Sequence, residues 1–384
     1  MIKGLDGAGA ASEAMRQLNL DVVAAYPITP QTEIVENYAK FVADGLVNTE
    51  MIRVESEHSA MSACIGASAS GARVMTATSS AGLAYMWELL AIASGLRLSI
   101  VMNIANRALS GPLNIHCDHS DSMGCRDSGW IQIYCEDAQE VYDFNLIALK
   151  LSEKVKLPVM VMQDGFITSH CMQNIAILND SVVRKFVGEK KIENSLLDVE
   201  NPITIGPLQL FDYYFETRRQ LSDSIEKSKR DFLKLCKELS KITKRKYGYF
   251  ESYKLNDADV AIIILNSTAG TVKEVIDKLR KNGKKVGLLK LHLFRPFPYK
   301  EIGNALKHLK NIAVLDRSES YGANAPIYSE IKNSLYDLKK TNVYSYIYGL
   351  GGREVHEEDI ENVFNELLTG KIKNKYIGLR EKSD

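Results

Sequence analysis

The 384-residue sequence has no excess of either charge: Lys plus Arg and Asp plus Glu both number 48, so the formal net charge is zero. A neutral chain sets up no global field to draw it onto nucleic acid or anionic lipid, and a charged ligand has to be caught locally. Apolar runs such as Val260 to Leu265 are strand-sized, far from the roughly 18 residues that a membrane span needs. Only six cysteines are present, at 64, 117, 125, 135, 171 and 236, and none forms a CxxC pair. That excludes a ferredoxin-type iron–sulfur ligand set and a zinc ribbon, and leaves mostly buried thiols. In the opening Met1-Ile2-Lys3-Gly4-Leu5-Asp6 an aspartate stands where a secretory apolar region would begin, so a cytoplasmic chain is expected.

What is present is ordinary for a globular chain, with 45% hydrophobic and 25% charged residues. At about 150 residues per domain the length predicts two or three domains. From residue 20 to about 170, strand-like runs alternate with helical patterns: Val22 to Ala25 then Glu33 to Val42, Ile52 to Val54 then His58 to Ser70, Val74 to Ala77 then Leu83 to Ala93. Leu98 to Ile104, a polar loop, the helix Ala138 to Val155 and the strand Pro158 to Met162 continue the series. Such an order predicts a doubly wound α/β domain with a largely parallel sheet. Glu216 to Lys246 reads as one long amphipathic connector helix, with Leu221, Ile225, Phe232, Leu235, Leu239 and Ile242 near helical period. A second α/β domain follows, with strands at Val260 to Leu265, Val286 to Leu291, Ile312 to Leu315 and Val343 to Ile347. The expected division is 1–180, 181–255 and 256–384.

Three constellations follow predicted strands. In Tyr26-Pro27-Ile28-Thr29-Pro30 two prolines stiffen the turn and push Tyr26 and Thr29 towards extended geometry, holding the Thr29 hydroxyl at the strand's carboxyl edge, where α/β sheets bind ligands. The plainer alternative is that the prolines only end the strand. Glu55-Ser56-Glu57-His58 enters a helix of Ala, Ser and Gly; either glutamate could cap that helix or act as a general acid or base, and His58 could be structural. The segment Asn106-Arg107-Ala108 running to Trp130 offers an arginine able to clamp a carboxylate bidentately, if it is not simply a solvated loop. His116, Asp118, His119 and Asp121 invite a metal, but their spacing fits no standard motif. Gly4, Gly7 and Gly9 resemble a dinucleotide fingerprint without the strand that should precede it, which disfavours a nicotinamide site. Gly349-Leu350-Gly351-Gly352-Arg353 could cradle a phosphate or form a tight turn.

Taken in order, these segments resemble the α subunit of the multi-subunit 2-oxoacid:ferredoxin oxidoreductases. The likeness runs from Tyr26-Pro27-Ile28-Thr29-Pro30 through Glu55-Ser56-Glu57-His58-Ser59-Ala60, Thr78-Ser79-Ser80-Ala81-Gly82 and Asn106-Arg107-Ala108. It continues through Asp118-His119-Ser120-Asp121-Ser122, Arg126-Asp127-Ser128-Gly129-Trp130, Gln163-Asp164-Gly165-Phe166, Leu293-Phe294-Arg295-Pro296-Phe297-Pro298 and Leu315-Asp316-Arg317. The resemblance implies a pyrimidine-type thiamine diphosphate-binding domain followed by a smaller transketolase C-terminal-like domain. It also implies that Glu57 bonds the aminopyrimidine ring, that Pro27, Ile28 and Thr29 line the cofactor, and that Arg107 and Thr29 contact the substrate. A carboxylate on that ring promotes deprotonation of the thiazolium carbon.

The chain has no Gly-Asp-Gly triplet, the start of the usual metal–diphosphate signature, and no iron–sulfur ligands. By the resemblance, a β subunit therefore supplies the diphosphate half and Mg2+, a δ subunit carries [4Fe-4S] clusters, a γ subunit completes the complex, CoA is a co-substrate and ferredoxin accepts the electrons. The segment from Arg107 to Trp130, with Thr29 in place of a second cation, is most similar to the pyruvate-specific members. Branched-chain 2-oxoacids and 2-oxoglutarate are the alternatives within the class. A non-catalytic anion-binding or scaffold protein is the alternative outside it.

Overall fold

The computed structural model describes residues 1–192, 194–338, 341–372 and 376–380. In chain order the elements are β1 (Ile2–Leu5), α1 (Gly7–Gln17), β2 (Val22–Ala25), α2 (Thr32–Ala43), β3 (Glu50–Arg53), α3 (Glu57–Ala69), β4 (Val74–Thr78), α4 (Ser80–Tyr85), α5 (Trp87–Gly95) and β5 (Ile100–Asn106). Next come α6 (Ser120–Gly124), β6 (Ile131–Tyr134), α7 (Ala138–Val155), β7 (Val159–Asp164), β8 (Gln173–Ala176), α8 (Asp180–Val187) and α9 (Tyr214–Thr243). The remainder is β9 (Phe250–Tyr253), β10 (Val260–Ile264), α10 (Thr268–Lys281), β11 (Val286–Leu291), β12 (Leu293–Arg295), α11 (Tyr299–Leu306), β13 (Asn311–Asp316), α12 (Pro326–Leu335), β14 (Asn342–Ile347) and α13 (Glu357–Thr369).

The first sheet has the order β12-β6-β7-β5-β4-β2-β3. Its strands are parallel except β12, which runs antiparallel to β6. One face packs on α1, α2, α7 and α9, the other on α3, α4 and α5, so both faces are covered and β4, β5 and β7 are apolar and buried throughout. The second sheet, β14-β13-β10-β11-β9, is parallel but for β9. No described helix is long and apolar enough to cross a membrane.

Several local features differ from the sequence expectation. A strand does precede Gly7, but β1 pairs antiparallel with β8 in a separate two-stranded ribbon, and the Asp6 side chain caps α1 by accepting from Gly9 N–H at 2.7 Å. The connector helix α9 begins at Tyr214 and ends at Thr243, and its Phe232 ring stacks on Phe144 of α7 at 6.1 Å. Beyond β11 the chain crosses back to lend β12 to the first sheet, and one apolar core runs without interruption from Ala24 and Met61 to Ile263 and Phe294.

Two buried ionic junctions lock the sheets together. The Lys290 ammonium on β11 donates to Glu136 at 2.5 Å and Glu140 at 2.6 Å and lies 3.0 Å from Glu251, while His292 is 3.1 Å from Glu140. Burial opposes the charge on Glu140, but Lys290 and His292 outweigh it and hold the carboxyl well below its usual range. At the end of β7, Asp164 accepts from Asn266 Nδ2 at 2.9 Å, Ser267 N–H at 3.2 Å and Arg317 Nη1 at 3.1 Å, and its Oδ1 lies 2.8 Å from His119 Nε2. Here too burial opposes ionisation, and Arg317, then His119, overcome it and depress the Asp164 pKa.

Asp164→Asn should therefore strand the buried Arg317 cation and cost on the order of 3–5 kcal/mol. Because the folded pKa is depressed, this stabilisation is present above about pH 4 and drains away as pH falls below it. Denaturant unfolding at neutral pH checks this; an unmoved midpoint would deny Asp164 its role.

Candidate active site

The loops that carry the sequence candidates all leave the carboxyl edge of the first sheet. Strand β2 is followed by a connection to β3 on one side and β4 by a connection to β5 on the other, so a switch point lies between β2 and β4, the place where such sheets bind ligands. After β2, Thr29 and Pro30 occupy the middle of a turn closed by the Gln31 N–H on the Ile28 carbonyl at 2.8 Å, with a cis peptide between them. Thr29 thus lies within the turn, its peptide bond to Pro30 cis. Pro27 and Thr29 are exposed and Ile28 is half-buried.

After β3, Ser56 is the helix cap: its hydroxyl accepts from Ser59 N–H at 3.2 Å. Glu57 is left free of that duty as the first residue of α3, where the helix N-terminus favours an anion. The residue is 8% exposed, and its carboxylate accepts no hydrogen bond among the described residues. A carboxylate largely enclosed by protein yet without a protein donor is open to N–H groups of a ligand. Gly82 of α4 faces it so closely that a Cβ there would stand 2.6 Å from Glu57 Oε1 and 2.6 Å from Thr78 Oγ1, and that threonine hydroxyl is itself buried without a partner. An unsatisfied carboxylate, an unsatisfied hydroxyl and a missing side chain make a cradle suited to the polar edge of a flat heterocycle, and the aminopyrimidine of thiamine diphosphate fits that donor and acceptor set. Glu55 only accepts from Ser59 Oγ at the surface, and His58 is half-exposed beside Glu88 and Tyr85.

After β5, the Arg107 side chain is 8% exposed and forms no ion pair among the described residues. It is held by two neutral acceptors, donating from Nη1 to the Thr29 carbonyl at 3.0 Å and from Nε to the Asn114 carbonyl at 3.1 Å. Carbonyls orient a guanidinium without neutralising it, and Nη2 keeps its donors for an incoming anion. Arg107 and Thr29 therefore do meet, but through the Thr29 backbone; the hydroxyl has no partner among the described residues. Asp121 ties this loop to the Glu57 cradle, accepting from Ser80 N–H at 2.9 Å, Arg107 N–H at 3.0 Å, Asn106 Nδ2 at 2.8 Å and Ser122 N–H at 2.7 Å. Burial pushes its carboxyl up to about 6 despite those donors.

Of the residues weighed as metal ligands, Asp118 is engaged by Ser120 and Gly351, His119 Nε2 by Asp164 and Asp121 by four N–H donors. Cys117, His119 and Asp164 do converge, but the Arg317 guanidinium already supplies the cation there. Gly349–Arg353 forms a tight turn in which the N–H groups of Gly351, Gly352 and Arg353 are spent on Asp118, the Cys117 carbonyl and the Leu350 carbonyl. Gly82, Thr78, Asp121 and Asn114 were missed as site residues; for Gly82 the only sequence signal is its place in the small-residue run Ser79-Ser80-Ala81-Gly82.

Gly82→Ala should push the Glu57 carboxylate out of its cradle. Cofactor affinity, read by titrating thiamine diphosphate into the apo-complex, should fall at least about tenfold. Unchanged affinity would refute the cradle. Protonation of Asp121 should weaken its hold on Arg107 and Ser80, so kcat/KM for the substrate should fall as pH drops through about 6.

Comparison with known proteins agrees with this geometry. Residues 13–234 match the family model for the thiamine diphosphate-binding domain of pyruvate flavodoxin/ferredoxin oxidoreductase, and residues 258–360 match pyruvate:ferredoxin oxidoreductase core domain II. Pyruvate synthase subunit PorA of Thermotoga maritima is 52% identical over 98% of this chain and 97% of its own length. Ketoisovalerate oxidoreductase subunit VorA of Pyrococcus abyssi is 42% identical over 95% of this chain and 93% of its own. A solved 2-oxoglutarate:ferredoxin oxidoreductase from Magnetococcus marinus, with 2-oxoglutarate, coenzyme A and succinyl-CoA bound, shares the fold with a TM-score of 0.72 at 22% identity. The match covers 96% of this chain and 65% of that one. An unpartnered buried glutamate, a counter-ion-free arginine and near full-length likeness converge: the chain belongs to the pyruvate flavodoxin/ferredoxin oxidoreductase family.

Proposed function

We propose that this chain is the α subunit of a pyruvate:ferredoxin oxidoreductase, converting pyruvate and CoA to acetyl-CoA and CO2 while two electrons pass singly to ferredoxin. The observation that carries the reading is the pair of unmet demands at one sheet edge: Glu57 lacks a donor, Arg107 lacks an anion, and Asp121 fixes the loops of both. In this reading residues 1–180 form the pyrimidine-binding half, 181–255 the connector and 256–384 the transketolase C-terminal-like half.

Glu57 would hold the aminopyrimidine through a ring nitrogen, with the Thr78 hydroxyl beside it and Pro27, Ile28 and Thr29 lining the approach. Thiamine diphosphate, when bound, supplies a carbon nucleophile and an electron sink for decarboxylation. Arg107 Nη2 takes the carboxylate of pyruvate. Because Nη1 and Nε are engaged by carbonyls, the guanidinium plane is set before substrate arrives, which lowers the ordering cost of binding. The rest of the reaction falls to partners: a β subunit for the diphosphate and Mg2+, a δ subunit with [4Fe-4S] clusters, and a γ subunit. Exposed Ala81, Ala84, Tyr85, Trp87 and Ile92 on α4 and α5, beside the Gly82 cradle, suit a protein–protein contact there. The 42% identity to a ketoisovalerate oxidoreductase subunit supports a second reading, in which 2-oxoisovalerate is the substrate.

The test is an assay of the complex reconstituted with its partner subunits, using CoA and a viologen acceptor. Glu57→Gln and Arg107→Ala should each lower turnover by about a hundredfold or more. Near wild-type turnover in either would refute the site, and a higher kcat/KM for 2-oxoisovalerate than for pyruvate would select the second reading.

A further inference from the structure

We infer that Asn114, held by the Gly349–Arg353 turn of the second sheet, is a positioning residue that sets the pose of Arg107 and hence the affinity for the substrate carboxylate. The inference rests on the reading of Arg107 as the carboxylate-binding arginine and adds what determines its geometry.

Of the two carbonyls that orient the Arg107 guanidinium, the one from Thr29 lies in a turn closed by its own backbone bond. The other belongs to Asn114, in a segment with no regular structure. From Leu109 to His116 every residue is exposed except Asn114. The tip of this loop would drift with solvent unless Asn114 were tied down, and its side chain makes two ties. Its Nδ2 donates to the Gly351 carbonyl at 3.0 Å, and its Oδ1 accepts from His116 N–H at 2.7 Å.

The anchor is stiff. Gly351 N–H donates to Asp118 Oδ2 at 3.2 Å and Gly352 N–H to the Cys117 carbonyl at 2.7 Å, so the turn grips the same loop at three points. Arg317 donates from Nε to the Gly349 carbonyl at 3.1 Å while its Nη1 holds Asp164. Gly351 and Gly352 have φ of 58° and 80°, and a Cβ on them would meet Asn114 Nδ2 and His116 Cβ, each at 2.4 Å. Glycine is required here both by backbone conformation and by close approach. A continuous series of contacts thus runs from Asp164 through Arg317 and the glycine turn to Asn114 and ends on the guanidinium. Losing the Asn114 side chain removes no atom from Arg107, yet it frees the carbonyl that aims Nε. Displacements on the scale of an ångström at a binding group are enough to cost orders of magnitude in catalysis.

The experiment uses the fully reconstituted complex with pyruvate, CoA and a viologen acceptor. Asn114→Ala should raise KM for pyruvate about tenfold or more, move kcat by less than about threefold, and leave KM for CoA and the unfolding midpoint unchanged. Asn114→Asp, which turns a carboxylate towards the Gly351 carbonyl, should do the same or worse. In an Arg107→Lys background, which lacks the Nε donor, Asn114→Ala should add no more than about twofold. An unchanged pyruvate KM in Asn114→Ala, or a penalty that adds in full on Arg107→Lys, would overturn this inference alone. If Arg107→Ala itself were harmless, both this inference and the reading beneath it would fall.

Discussion

Of the two buried ionic junctions between the sheets, the one at Asp164 brings together the edges that carry the site. Asp164, at the end of a buried parallel strand, carries charge in a place where an unpaired charge could not be tolerated, so the groups around it must arrive in one arrangement. His119 comes from the loop beyond β5, Asn266 and Ser267 from the end of β10, and Arg317 from the end of β13. The carboxyl edges of both sheets are thereby brought to one point, and the loop bearing Arg107 is pinned at its far end.

Around that point many polar groups are spent internally, although His119 Nδ1, Asn266 Oδ1 and Gln163 Oε1 are buried without a partner. Asp121 consumes four N–H donors, the glycine turn spends its amides on Asp118 and Cys117, and Lys290 is surrounded by glutamates. Among the groups left unspent, the Glu57 carboxylate, the Thr78 hydroxyl and Nη2 of Arg107 share one sheet edge. Unspent groups gathered at the carboxyl edge of a parallel sheet are placed where a ligand can complete them. In the two clusters of metal-like composition, Arg317 and Lys290 already supply a cation to the carboxylates.

Much of the first sheet was legible because its parallel strands, such as Val74–Thr78 and Val159–Asp164, are continuous apolar runs between helices. Helix α1 was not, since Gly7-Ala8-Gly9-Ala10-Ala11 is buried almost all round and offers no amphipathic stripe. Strand β1 depends on a partner some 170 residues away, as Ile2 opposite Ala176 shows, and β12 is three residues long. At the site, Thr29, Glu57 and Arg107 could be picked out because each directly follows a strand. The prolines of the pentapeptide point to the Thr29 hydroxyl, and the structure adds a second role for this residue, whose carbonyl accepts from Arg107. Gly82, Asp121 and Asn114 act through partners that the chain's fold brings to them, such as Glu57 for Gly82, Arg107 for Asp121 and Gly351 for Asn114, so their roles are not written in the residues beside them.

The loan of β12 to the first sheet bears on how the molecule is born. Strand β6 keeps a bare hydrogen-bonding edge until Leu293–Arg295 leaves the ribosome, so the amino-terminal half cannot close its sheet as it is synthesised and must wait through most of translation. For the same reason the gene does not divide cleanly between its two sheets. A break placed between them would leave one fragment with an unfinished border and the other with an orphaned strand.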